Sequence, residues 1–154
     1  MRILFHHRIA SRDGQSVHMD ELIAALRRQG HEVRVAGPEQ LEAAEFGADG
    51  GWVDRLKAAL PRPVYEILEL GYNLVAYRRL RRAYREFRPD FVYERYNLFT
   101  LAGTWLARVS GVPLLTEVTA PLCEERARHS GGLALRRLAA WTERAAWRGA
   151  DRVL

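Results

Sequence analysis

The densest chemistry in the chain lies at its first turn, "FHHRIASRDGQSVHMDEL" over residues 5–22. Three histidines and a lone glycine stand there between an apolar run and a helical one. Gly14 comes just ahead of the helical pattern. The free amides and positive dipole end of a helix attract an anion, and a glycine lets a phosphate approach the backbone. Asp13-Gly14 is equally a turn-forming pair. A dinucleotide fingerprint needs G-x-G-x-x-G, and only one glycine is present, which argues against a nicotinamide cofactor. His6 and His7 are neighbours on a strand and point to opposite faces. No cysteine pair or H-E-x-x-H accompanies them, so no metal is expected and the histidines read as site-lining or hydrogen-bonded core residues.

Two further segments carry polar side chains. "YERYN" brings Glu94, Arg95, Tyr96 and Asn97 together, either to contact a ligand or as a local ion pair with Asn97 capping the next helix. "TEVTAPLCEER" carries Glu117, Thr119, Glu124, Glu125 and Arg126. A glutamate pair can share acid–base work, but Glu117 falls in a strand and Glu125 in a loop or helix, and spacing alone does not make them converge. The run "YRRLRRAYREFR" at 77–88 is basic with interleaved aromatics. Nucleic acid, an anionic membrane surface and a solvated helix face are its three readings.

The elements that must position these groups follow from hydrophobic periodicity. Short apolar runs at 2–6, 32–36, 90–94 and 113–118 read as buried parallel strands. Met19, Leu22, Ile23 and Leu26 mark a helix with Ser16 as its N-cap and Gly30 beyond its end, Val17 lying off the stripe. Leu98, Leu101, Ala102, Trp105, Leu106 and Val109 mark a second, stopped by Gly111 and Pro113, and Leu135, Leu138, Ala139, Thr142 and Ala146 a third. Residues 63–88 read as a longer helix broken near Gly71, with Tyr65, Leu68, Tyr72 and Val75 on an apolar face. The stretch 38–62 is poorly patterned, with a loop at "FGADGGW". Alternating strands and helices predict an α/β fold: a doubly wound, Rossmann-like parallel sheet with helices on both faces. Ligands of such sheets bind beyond the carboxyl ends of the strands, and that rule selects the three polar segments together.

The chain has 154 residues, enough for one domain with a core, and its 48% hydrophobic and 28% charged content exclude a disordered chain. No run of about 18 apolar residues is present to span a bilayer. A single cysteine, Cys123, forms no internal disulfide, which fits a reducing cytoplasm. The net charge of +5 is carried almost wholly by arginine, with Lys57 the one lysine; codon bias explains such an excess, and an affinity for phosphate or carboxylate also would. The closing "ADRVL" is the start of an apolar strand, so the chain reads as the N-terminal piece of something longer.

The order of segments "MRILFHHRIASRDGQSVHMDELIAALRRQGHEVRVAGP", "RPDFVYERYNLFTLAGTWLARVSGVPLLTEVTAPLCEER" and "WRGADRVL" resembles the N-terminal half of family 4 glycosyltransferases of the GT-B fold. The resemblance covers most of the chain outside 39–62. It implies that residues 1–154 form the acceptor-side domain of a retaining enzyme, which moves a sugar from a nucleotide-sugar donor to a sugar or lipid-linked acceptor. The donor-binding half then lies outside the sequence. It also implies a donor-phosphate loop at Asp13, Gly14, Gln15 and Ser16, and a cleft lined by His7, His18, Glu94, Arg95, Tyr96, Asn97, Glu117 and Thr119. The nucleotide sugar is a substrate, so no cofactor, metal or nucleic acid is expected. The implied setting is the cytoplasm, with contact to the inner face of an anionic membrane. Two departures stand out. Thr119 occupies a position where many members carry histidine, and the spacing of Glu117 and Glu125 matches a family motif that belongs to the other domain. The alternative is a basic α/β module for nucleic acid or another polyanion.

Overall fold

The computed structural model describes residues 1–9, 14–38, 59–129 and 132–154. Five parallel strands form one sheet: β1 (Arg2–His6), β2 (Glu32–Ala36), β3 (Phe91–Arg95), β4 (Leu114–Glu117) and β5 (Arg152–Val153), in the order β2-β1-β3-β4-β5. Five helices connect them: α1 (Gly14–Arg28), α2 (Arg62–Phe87), α3 (Ala102–Ser110), α4 (Leu122–His129) and α5 (Arg136–Gly149). The doubly wound arrangement expected from the alternation is the one observed. Its strand order reverses between β1 and β3, and sheets of this kind bind ligands beside such a switch point, at the carboxyl edge.

Strand parity sorts the core into two layers. Ile3 and Phe5 face α1, packing with Met19, Ile23 and Val33. Leu4, Val92 and Leu114 face the other way, against Leu80 and Phe87 of α2 and Leu106 of α3. Helix α5 continues that second layer, where Ala146 meets Leu101 beside Trp105. Among the described helices, α1 therefore covers one face of the sheet and α2, α3 and α5 the other.

Helix α2 departs most from its sequence pattern. It runs unbroken through Gly71, whose missing side chain faces open space, so the glycine relieves no clash and interrupts no hydrogen bond. At 26 residues it is about 39 Å long, roughly twice a five-residue strand. Its C-terminal half packs on the sheet through Ala76, Leu80 and Phe87, while its N-terminal half buries Glu66 and Asn73 instead. The apolar face expected at Tyr65, Leu68, Tyr72 and Val75 is rotated: Tyr65 and Tyr72 are half-buried, whereas Val64, Ile67, Leu68, Leu74 and Val75 are exposed.

Boundaries moved elsewhere by a residue or two. β3 and β4 start one residue later than expected; ahead of β4, Pro113 has no N–H to donate to the ladder, and only its carbonyl takes part, accepting the Val92 N–H. α1 already begins at Gly14, so Ser16 falls within the helix and does not cap it. Leu98 and Leu101 are core residues, as their stripe required, but they precede α3 in a loop, and Val109 is exposed. Gly111 closes α3 in the left-handed conformation (φ 73°), its N–H reaching Ala107 O at 2.8 Å. Asp13, most of the poorly patterned stretch 38–62 and its loop lie outside the described residues. No helix among the described residues is long and apolar enough to cross a membrane.

Candidate functional site

The polar residues at the carboxyl edge divide into two clusters because Glu94 and Arg95 are consecutive on β3 and point to opposite faces. Glu94 turns toward α3. His6 is its register partner on β1, and His6 Nδ1 lies 2.7 Å from Glu94 Oε2. The same oxygen accepts the Gly103 N–H at 2.9 Å, from the first turn of α3, where backbone amides are otherwise unpaired. A side chain at position 103 would collide with this carboxylate, so glycine is what lets α3 settle on it. Thr116 stands opposite Glu94 on β4, and both Thr116 Oγ1 and Glu94 Oε1 are buried without a partner. His6, Glu94 and Thr116 thus form a buried polar row across three strands, closed to solvent.

Arg95 turns toward α1. Its guanidinium donates to Glu117 Oε1 at 2.8 Å, while the Tyr93 hydroxyl donates to Glu117 Oε2 at 3.2 Å. Burial, followed by the Glu117 carboxylate, pushes the Tyr93 phenol well above its ordinary range and keeps it a donor. From the second turn of α1, His18 Nε2 approaches Glu117 Oε1 at 3.2 Å. His18 is 58% exposed while Glu117 is 13% and Arg95 7%, so the histidine is the open end of a chain anchored in the protein. Glu117 is held by three side chains from β3 and α1. Its geometry is fixed before any substrate arrives, as a positioned contact requires.

The loops above these clusters are built from α2. Asn73 donates to Leu70 O and to Phe99 O, and its Oδ1 accepts the Leu101 N–H at 2.7 Å. Phe99 is held at φ 65°, a left-handed conformation that an aromatic residue adopts only when its surroundings impose it. Asn73 supplies that constraint. Arg8, just past β1, is clamped by Thr100 Oγ1 and Glu69 O, each at 3.2 Å, with its guanidinium 4.7 Å above the Tyr72 ring. Glu69 itself pairs with Arg126 of α4 at 2.8 Å. Glu66 accepts the Ala134 and Leu135 N–H groups at 2.9 and 2.7 Å, satisfying amides ahead of α5. Glu143 of α5 does the same for the Cys123 N–H at the start of α4, and burial raises its carboxyl above the ordinary range. Carboxylates from neighbouring helices thus cap two helix starts that have no capping side chain of their own.

The expected site residues occupy different depths. His18, Arg95 and Glu117 meet in one cluster, and Thr119 is exposed just beyond β4. Gly14, Gln15 and Ser16 form the first turn of α1 at the same edge. His7 is buried against Gly37, where a Cβ would overlap its ring. It accepts the Ile9 N–H at Nδ1, and burial, with the neighbouring His6, lowers its pKa from 6.5 to about 4. Tyr96 is buried with its ring edge against Trp147 and its hydroxyl unpartnered. Asn97 does not cap α3; its carbonyl accepts the Thr100 N–H in a turn, and Asn73 supplies the bond near the helix start. Glu94 and Arg95 do not pair with each other, and Glu125 is exposed on α4 without joining Glu117.

Sequence reasoning missed His6 as the partner of Glu94, along with Arg8, Glu66, Glu69 and Asn73. The last three had a signal: polar residues at 66, 69 and 73 fall on the stripe that Ala76 and Leu80 continue. A buried face that turns polar partway along a helix marks a hydrogen-bonded network. Among the described residues, no group of three His, Cys, Asp or Glu side chains is placed to hold a metal ion.

Solved structures of similar fold are glycosyltransferases. The spinosyn rhamnosyltransferase SpnG, complexed with thymidine diphosphate, superposes with a TM-score of 0.52 at 19% identity, over 76% of this chain and 34% of that one. The glycosyltransferase SnogD from Streptomyces nogalater does so with a TM-score of 0.54 at 23% identity, over 100% of this chain and 42% of its own. At such identity the likeness is one of fold, and the fold is a Rossmann-like half of the GT-B type. This chain spans less than half the length of either enzyme. No curated protein matches it in sequence. The family profile of the glycosyl transferase 4-like domain matches residues 13–154, and the chain belongs to that family.

Proposed function

We propose that this domain is the acceptor-side half of a retaining glycosyltransferase, which moves a sugar from a nucleotide-sugar donor to an acceptor hydroxyl when joined to a donor-binding half. The observation that carries the reading is the convergence of the first turns of α1 with Arg95 and Glu117 at the carboxyl edge of the sheet. Amides at a helix start are preorganised for an anion, and they stabilise charge that builds on a departing diphosphate. Thymidine diphosphate in SpnG supports a nucleotide-bound donor.

With retention, the acceptor hydroxyl attacks from the face that the diphosphate leaves. The bond from the anomeric carbon to the phosphate oxygen breaks as the bond to the acceptor oxygen forms, and the leaving phosphate takes the acceptor proton. The domain then has to orient the acceptor and receive charge. In this reading His18, Glu117 and Thr119 hydrogen-bond acceptor hydroxyls, and Gly14 with its neighbours faces the diphosphate. The nucleotide sugar is consumed as substrate, and no cofactor is invoked. A cytoplasmic protein resting on the inner face of an anionic membrane is the setting this reading implies. The exposed Ile67, Leu68 and Leu74 of α2, followed by Arg78, Arg81, Arg82 and Arg85, support such contact and a lipid-linked acceptor.

The test uses the full-length protein. Gly14→Val, which obstructs approach to the first turn of α1, is expected to lower kcat at least tenfold while the melting curve stays in place. NMR of the product is expected to show the donor's anomeric configuration. Unchanged kinetics would remove this turn from the mechanism, and an inverted product would overturn retention.

A further inference from the structure

A cavity of about 440 Å³ lies between α3 and α5, on the outer side of the layer, and none of the residues lining it belongs to the His6–Glu94 or Arg95–Glu117 clusters. It is of the size that holds a small organic ligand. Both helices lead from the carboxyl edge of the sheet back toward its amino edge, so the groove has a consistent polarity along its length. Leu101 and Trp141 line one end, Trp105 and Ala145 the middle, and Arg108 and Arg148 the other end, with Arg144 alongside. Trp141 is 55% exposed, unusual for the largest apolar side chain, and Trp105 is braced edge-on by Tyr77 of α2. Thr104 lines the same cavity and is 3% exposed, yet its Oγ1 has no hydrogen-bond partner.

The charges are equally unmatched. Among the described residues, Arg108 and Arg148 have no carboxylate partner, and Arg144 donates only to Ala140 O of its own helix. The exposed faces of α3 and α5 carry no acidic residue, Glu143 being buried and turned toward α4. Cations in the last turn of a helix are favoured by its dipole, which accounts for Arg108 and Arg148 singly. It does not account for their meeting across a tryptophan-lined groove.

We propose that the α3–α5 groove binds an amphiphilic anion: an apolar body lying along Trp105 and Trp141, with a phosphate, sulfate or carboxylate held by Arg108, Arg144 and Arg148. Guanidinium forks match such oxyanions bidentately, and the tryptophan faces cover the body. This inference stands apart from the sugar-transfer reading and does not depend on it.

The probe is hexyl phosphate, monomeric in solution, titrated into the full chain and followed by tryptophan fluorescence and calorimetry. Saturable one-site binding is expected, with hexanol and inorganic phosphate each at least tenfold weaker. The double variant R108Q/R148Q, confined to exposed arginines, is expected to weaken hexyl phosphate at least tenfold with an unchanged circular-dichroism melt, and Trp141→Ala to weaken it as well. Phosphatidylglycerol vesicles distinguish the source. Vesicle binding lost in R108Q/R148Q together with hexyl phosphate binding identifies a lipid headgroup, and hexyl phosphate binding without vesicle binding identifies a soluble ligand. Equal affinity for hexanol, equal affinity for inorganic phosphate, unaltered binding by R108Q/R148Q, or a response to vesicles alone would each overturn the proposal.

Discussion

His7 shows how tightly a residue just past a strand end can be packed. The residue types allowed a site-lining or a hydrogen-bonded core histidine, and the family resemblance implied the cleft; in the structure His7 is buried against Gly37 and stays neutral down to a pKa of about 4. In the unfolded chain it titrates near 6.5. Between those values the unfolded state binds a proton that the folded state refuses, so stability rises with pH across that window and is complete above it. The separation corresponds to at most about 3 kcal/mol. His7→Asn is therefore expected to flatten the rise of unfolding free energy between pH 4 and 6.5, measured by urea titration against the unaltered chain. Identical pH profiles would show that His7 titrates alike in the folded and unfolded chain. His18, by contrast, sits on the open side of α1, and its partner Glu117 is the deeper group.

At the scale of elements, the strands were legible because β-branched and aromatic runs bounded by turns have few alternatives, and the segments that follow β1, β3 and β4 lie at the carboxyl edge, as the alternation required. The local ion pair offered for Glu94 and Arg95 is absent because consecutive strand residues point to opposite faces, each finding its partner elsewhere. The loop conformations and the network from α2 were not legible. They depend on contacts such as Asn73 with Phe99 and Leu101, 26 and 28 residues away, and no local pattern encodes such a distance. That network makes a measurable demand. Asn73→Ala leaves the buried Leu101 N–H and Phe99 carbonyl without this partner, and is expected to cost roughly 2–4 kcal/mol in urea unfolding. A loss below about 0.5 kcal/mol, the level of an ordinary surface change, would mean that something else holds the 97–101 loop.

For the whole molecule, the proposed function places the working surface at the carboxyl edge of the sheet and divides the work between two halves. The chain supplies a strained, tightly hydrogen-bonded rim with a helix start and the His18–Glu117–Arg95 chain on it, which suits orienting one substrate and facing another. The fold spans less than half of SpnG or SnogD, and under the proposed function donor binding falls to a second half. The most direct test compares the purified 154-residue chain with the full-length protein, each incubated with thymidine, uridine and guanosine diphosphate sugars and a panel of acceptors, with transfer read by mass spectrometry. The account expects transfer by the full-length protein and none by the short chain, which still folds and still binds acceptor. Robust sugar transfer by the 154-residue chain alone would place the complete active site within it and contradict the assignment.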